Sequence, residues 1–194
     1  ANVIDALTTG TVTASIVTTE TVDSLKTLTG TNNAYTIVIS ETSASASDLN
    51  TINGLTTATV NLTNVTSITS GTLSDLDTLA TAINASPAQF INATNLTTNA
   101  VSDSAIDITS SASTIDSLDQ IDSSSIDMTM ASGATITVAA SEITEMLTDE
   151  SAGRLTISDQ NITVEGAISV SDANLLDATT TGTVTATITS SSVD

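Results

Sequence analysis

Residues 1–16 read ANVIDALTTGTVTASI, and residues 173–188 read ANLLDATTTGTVTATI. Twelve of the sixteen positions are identical, at an offset of 172 residues (173 − 1 = 172). Between the two copies a shorter pattern of about 25 residues recurs, a Thr-rich alternating run and then a Ser/Thr-Asp-Leu segment. Repetition on both scales predicts units that bury their apolar faces only against their neighbours. It also predicts that these 194 residues are one link of something longer.

The alternating runs predict strands. They cover residues 11–16, 35–40, 58–63, 105–109, 125–130, 134–139, 155–158, 161–165 and 183–188. β-branched residues at period two give one buried and one solvated face. Thr suits the solvated face, and aligned Thr columns offer hydroxyls that can bond between units. After most strands, apolar residues fall three or four apart, which predicts short helices. The instances are residues 20–28, 45–52, 72–79, 113–118, 141–147 and 170–176. A Ser or Thr precedes each and can accept from the free amides of a first helical turn. Acidic residues occupy that turn, where the helix dipole favours them.

Each unit therefore reads strand, turn, helix and return. The predicted fold class is α/β: a strand–helix solenoid with a mainly parallel sheet. It spans 1–194 as a single section of about six or seven coils. A right-handed parallel β-helix is the competing architecture, but the Ser-x-x-Asp/Glu-Leu segments argue against it. Residues 84–101 are the chief irregularity. They hold Pro87 and Phe90, and the spacing between units stretches there, which predicts an extra helix or an inserted loop. A helix of eight or nine residues is marginal alone in water, so stacking must hold it. Each buried Leu or Ile contributes about 1.5–3 kcal/mol.

Composition narrows the function. There are 22 Asp and Glu against two basic residues, for a net charge of −20. Such a surface repels nucleic-acid phosphates and anionic membranes. Cations, calcium above all, are its natural partners. Charged residues are nevertheless only 12% of the chain, which is not the composition of a disordered acidic tail. With no Cys and no His, disulfides, zinc sites and Cys or His catalysis are excluded. No apolar stretch is long enough to span a membrane. Paired acids exist without aromatic platforms or a Gly-rich phosphate loop, so no enzyme is expected. Asn-x-Ser/Thr triplets begin at Asn61, Asn64, Asn84, Asn92, Asn95 and Asn161, a number that this Thr-, Ser- and Asn-rich composition supplies by chance.

Two acids stand out as candidate metal ligands. Asp107 and Asp127 hold matching places in the runs AIDIT and SIDMT. If those strands are neighbours, the carboxylates lie about 5 Å apart on one face. A bridging Ca2+ or a raised pKa would then relieve their repulsion; two solvated surface acids are the alternative. Asp23, Asp48, Asp75, Asp116, Glu142 and Asp172 recur at helix starts. Helix-start preference accounts for them, and a cation column is the competing reading. Neither a calcium nonapeptide nor an EF-hand loop occurs.

The Gly-Thr-Val-Thr-Ala-(Ser/Thr)-Ile strand and the Ser-x-x-Asp-Leu helix resemble the Thr/Ser/Ala-rich tandem repeats of very long secreted bacterial surface proteins. Giant adhesin-like proteins of cyanobacteria are among them. The architecture is similar to leucine-rich-repeat solenoids, without their asparagine ladder. The resemblance implies an extracellular or cell-surface structural or adhesive role, often with calcium, and transfers no catalytic residue. The expected function is a filament, sheath or surface layer built by end-to-end stacking of copies, head to tail. A stalk in a large secreted adhesin, stiffened by calcium, is the alternative; a cation-binding matrix component is the third. The chain starts within a helix-like segment and stops where the next helix should begin. The expected ends are therefore uncapped.

Overall fold

The computed structural model describes residues 1–93, 96–98, 101, 105–108, 128–153 and 155–189. The elements run α1 (Asn2–Asp5), β1 (Thr13–Ser15), α2 (Val22–Leu25), β2 (Ala34–Val38), β3 (Ser43–Ala44), α3 (Ala46–Gly54), β4 (Val60–Asn61), β5 (Ser67–Ile68) and α4 (Leu73–Asn84). They continue with β6 (Phe90–Ile91), β7 (Thr97–Thr98), β8 (Ala105–Ile108), β9 (Met128–Thr129), β10 (Thr135–Ala139), α5 (Ile143–Ser151), β11 (Leu155–Thr156), β12 (Asn161–Ile168), α6 (Val170–Thr179) and β13 (Val184–Ile188). The fold is mixed α/β, and every described strand pairing is parallel.

The described residues form four small sheets, with strand orders β1-β2-β4-β6, β3-β5-β7, β11-β9 and β13-β12-β10-β8. Register follows the alternation. Ile37 lies against Val60, and Val60 against Phe90. Ile106 lies against Ile136, Ile136 against Ile162, and Ile162 against Val184. Apolar residues thus occupy matching register positions. The buried side chains of Ile37, Val60, Leu76, Ile136, Ile162 and Leu176 belong to one apolar cluster that extends from Val12 to Leu176.

The helices start where the sequence placed their caps. Thr21, Ser45, Thr72 and Ser169 accept from the amides of Ser24, Asp48, Asp75 and Asp172. At α4 the bond is reciprocated, because Asp75 also accepts from the Thr72 amide. Two such bonds fix a first turn from both sides. The helix α5 departs from this pattern: its cap is Glu142, whose side chain makes no capping bond. The apolar residues of α3 and α4 turn inward at three-four spacing: Ala46, Leu49 and Ile52, then Leu76, Leu79 and Ala80.

Three details differ from the sequence reading. Two strands rather than one precede α3 and α4, because β3 and β5 pair with each other in register. A two-residue strand is too short to show a period. Among the described residues of 84–101, no second helix follows α4. The segment holds the end of α4 and then β6 and β7, which pair with β4 and β5. The wider spacing is absorbed in part by α4, 12 residues long against the 9 of α3. Thirdly, Thr137, Thr163 and Thr185 align in one column, yet no hydrogen bond joins their hydroxyls. Thr hydroxyls instead donate to backbone carbonyls of an adjacent strand or turn. Thr57 reaches Asn33 at 3.1 Å, Thr180 reaches Gln160 at 2.6 Å and Thr189 reaches Ile168 at 3.0 Å.

Candidate functional site

The two copies of the duplicated segment lie in different surroundings. In the first, β1 has β2 as its partner, with Ala14 against Tyr35 and Ser15 against Thr36. Its other edge is unpaired among the described residues. Asn2 ties α1 to the following loop: its Nδ2 donates to the Thr27 carbonyl at 2.8 Å and its Oδ1 accepts from the Thr29 amide at 3.0 Å. Asp5 accepts from Asn33 Nδ2 at 2.7 Å and from the Thr29 hydroxyl at 3.4 Å. Asn33 is buried and also accepts from the Val12 amide at 2.8 Å. Its Nδ2 further reaches the Tyr35 hydroxyl at 2.9 Å. Burial raises the Tyr35 pKa, and the negative charge of Asp5 adds to the rise. Val3, Ile4, Leu7 and Val17 are exposed. A cleft of about 280 Å³ opens between Val3, Ile16, Leu25 and Leu28.

In the second copy, the residue matching Ile4 is Leu176. Ile4 is 58% exposed, whereas Leu176 is fully buried at 0%. The strand β13 pairs with β12 on one side and is unpaired on the other among the described residues. Asn174 and Asp177 match Asn2 and Asp5 in sequence, and both are exposed on α6. Val170, Leu175 and Ile188 are exposed near them. The approach to β12 is close enough to require glycine. A Cβ on Gly182 would collide with the Gln160 carbonyl.

One turn that the sequence reading overlooked recurs at both copies and once between. It is the tetrad Thr-Thr-Gly/Ala-Thr, at 8–11, 56–59 and 180–183. In each, the first Thr hydroxyl accepts from the amide two residues on, at 3.0 Å. The signal was present in the sequence as LTTGTV, LTTATV and TTTGTV. Asn33 and Gln160 were also missed. Gln160 is buried, accepts from the Ser158 and Asp159 amides and donates to the Ala131 carbonyl at 2.9 Å. Lone amides among many carry no sequence signal.

Two of the acids at helix starts share one cationic side chain. Lys26 bridges Asp23 at 3.0 Å and Asp48 at 2.7 Å. Asp23 is 91% exposed and Asp48 32%, so the second contact is the less screened. Burial alone would raise the Asp48 pKa, but hydrogen bonds from Lys26 and Ser45 outweigh it and the net shift is downward. Lys26 is correspondingly raised, chiefly by Asp48 and then by Asp23. Glu41 is also lowered: burial opposes, but bonds from the Val22 amide and the Ser40 hydroxyl prevail. Its Oε1 takes the Val22 amide at 2.7 Å, so it satisfies the first turn of α2 from outside that helix. Asp116 lies outside the described residues.

Asp107 lies in β8, in register with Thr137 of β10. Asp127 lies outside the described residues. The strand that follows it, β9, pairs with β11 and not with β8. Among the described residues no group of three or more Asp, Glu, His or Cys converges as a metal site, and no helix is long and apolar enough to cross a membrane. Comparison with protein-family models, with curated proteins and with solved structures gives no match for this chain.

Proposed function

We propose that the chain is a structural unit of an extracellular filament, sheath or surface layer, a non-catalytic strand–helix solenoid whose copies meet head to tail. The observation that carries this reading is the contrast between Ile4 and Leu176, equivalent residues of a duplicated segment. Leu176 is fully buried, and Ile4 is open. Burying an apolar side chain of this size is worth about 1.5–3 kcal/mol, and Val3, Leu7 and Val17 lie open beside Ile4. The parallel pairings support the solenoid part. Side chains also link neighbouring segments: Asn50 of α3 donates to the Asp75 carbonyl of α4, 25 residues on, and Asn64 to the Ile39 carbonyl, 25 residues back. A contact between unlike faces that does not close on itself propagates as a fibre.

Electron microscopy and sedimentation of the purified chain test the proposal. Long fibres of uniform width, growing with concentration, are the expected result. A monodisperse 19.5 kDa species at every concentration would sink it.

A further inference from the structure

We infer that the polar groove between α3 and α4 is a binding site for a neutral sugar chain. The inference goes beyond the filament reading and does not depend on it, because the groove is built within one copy of the chain.

Asn50 and Asn53 of α3, Asp77, Thr78 and Thr81 of α4, and Gln89 just before β6 line a groove of about 420 Å³. Helical spacing puts them together. Asn50 and Asn53 lie three apart, and Thr81 lies three and four from Thr78 and Asp77, so each set shares one helix face. Leu49, Ile52, Leu76 and Leu79 take the buried faces of the same helices. Asn53 Nδ2 donates to Gln89 Oε1 at 2.6 Å, across 36 residues of sequence. Outside that bond Asn53 keeps its Oδ1 acceptor and Gln89 its Nε2 donor. A second cleft, of about 410 Å³, shares Asn53 and Gln89 and is lined also by Thr59, Pro87 and Ala88. The bridging pair belongs to both clefts, which suits a ligand built of repeated units.

Asn50 supplies a second observation. Its Nδ2 donates to the Asp75 carbonyl at 2.8 Å, but its Oδ1 is buried without a hydrogen-bond partner among the described residues. Buried acceptors in folded proteins are nearly always paired, and a ligand hydroxyl is the kind of donor this one lacks.

The lining selects the class of ligand. Among the described residues no Lys or Arg lines either cleft, and Asp77 is the one charged side chain. Phosphate, sulfate and carboxylate ligands are therefore repelled. A divalent cation asks for several oxygen ligands with more than one carboxylate among them, and a single acid is present. An apolar ligand finds only Ala82, Pro87 and Ala88. A peptide brings side chains that need apolar pockets of their own. A sugar brings hydroxyls that each donate and accept, which matches amides, hydroxyls and one carboxylate. No aromatic ring lines the clefts, so one copy binds weakly, and an assembled array binds more firmly through many copies.

The full chain is applied to a glycan array. The array holds neutral glucan and mannan oligosaccharides, uronic-acid oligosaccharides, and a glycoprotein with neutral mannose chains beside the same protein stripped of them. The expected result is retention on neutral chains, free or protein-linked, with competition by the soluble oligosaccharide; the arm that responds tells the source. Uronic-acid chains and the stripped protein should retain nothing. Gln89→Ala removes a lining donor, and Thr81→Gln fills the groove from an exposed position of α4. Each should lower retention about fivefold to tenfold, the size of one lost hydrogen bond, with the melting temperature kept. Glu142→Ala, which does not line the groove, should bind as the parent does. No retention on any neutral chain would overturn the inference. So would equal retention on the stripped protein, which means peptide recognition, or parental binding by both groove variants. Fibres seen by electron microscopy alongside any of these results would leave the filament reading standing.

Discussion

At the scale of single residues, buried amides and shielded acids set the stability. Asn33 serves four partners: the Val12 amide, Asp5, the Thr29 carbonyl and the Tyr35 hydroxyl. Asn33→Ala leaves the Val12 amide unsatisfied, so a loss of about 1–3 kcal/mol is expected by urea titration. Asn33→Asp, which retains the acceptor but sets a carboxylate against Asp5, should be no better. The pH dependence follows from Asp48, Glu41 and Lys26. The pKa values of both acids are lowered on folding. Their contribution is thus complete above the unfolded value of about 4 and is lost as pH falls through the folded values. Lys26 is raised, so its contribution is complete below about 10.4 and lost as pH climbs through the folded value. The melting temperature should fall at both extremes. Glu41→Gln and Asp48→Asn should flatten the acid limb, and Lys26→Met the alkaline one. An acid limb as steep in the double variant as in the parent would refute the assignment.

At the scale of elements, the short helices depend on caps at one end and packing along one side. Helices of nine to twelve residues do not persist alone in water. Thr72→Ala removes a hydroxyl that both accepts from the Asp75 amide and donates to the Asp75 carboxylate, and Ser45→Ala removes a single acceptor. Each should cost about 0.5–2 kcal/mol, with Thr72 at the upper end. Glu142→Ala, where no side-chain cap exists, should change stability by less than about 0.5 kcal/mol. Thermal melting of the three variants orders them. The strands tell a complementary story. Long alternating runs such as Thr135–Ala139 and Asn161–Ile168 were legible because five or more residues display a period. Two-residue strands such as β3, β5, β6 and β7 were not legible, since their existence depends on a parallel partner and not on their own residues.

At the scale of the whole molecule, the same substitution should have opposite consequences at the centre and at the open face. Leu49 is fully buried, and Leu49→Ala should cost about 2–5 kcal/mol. Ile4, more than half exposed, should lose little monomer stability on truncation. Ile4→Asp together with Leu7→Asp should nevertheless suppress association, read as a loss of fast-sedimenting material at a concentration where the parent assembles. Equal association of parent and variant would mean that this face takes no part. Of the candidate site, the duplication was legible from identity alone. That one copy is covered and the other open was not, because exposure belongs to the neighbours a segment finds.

The sequence by itself determined the kinds of element and their order. Period two and β-branching make strands, three-four spacing behind a Ser or Thr makes short helices, and the acids give a net charge of −20. These are local properties, carried by a residue and its near neighbours along the chain. The tertiary structure alone decided which strands pair, that Thr hydroxyls seek backbone carbonyls rather than one another, and that Asn33 and Gln160 lie buried in networks. Those outcomes depend on groups 20 or more residues apart meeting at hydrogen-bond distance, and no local pattern encodes such a meeting.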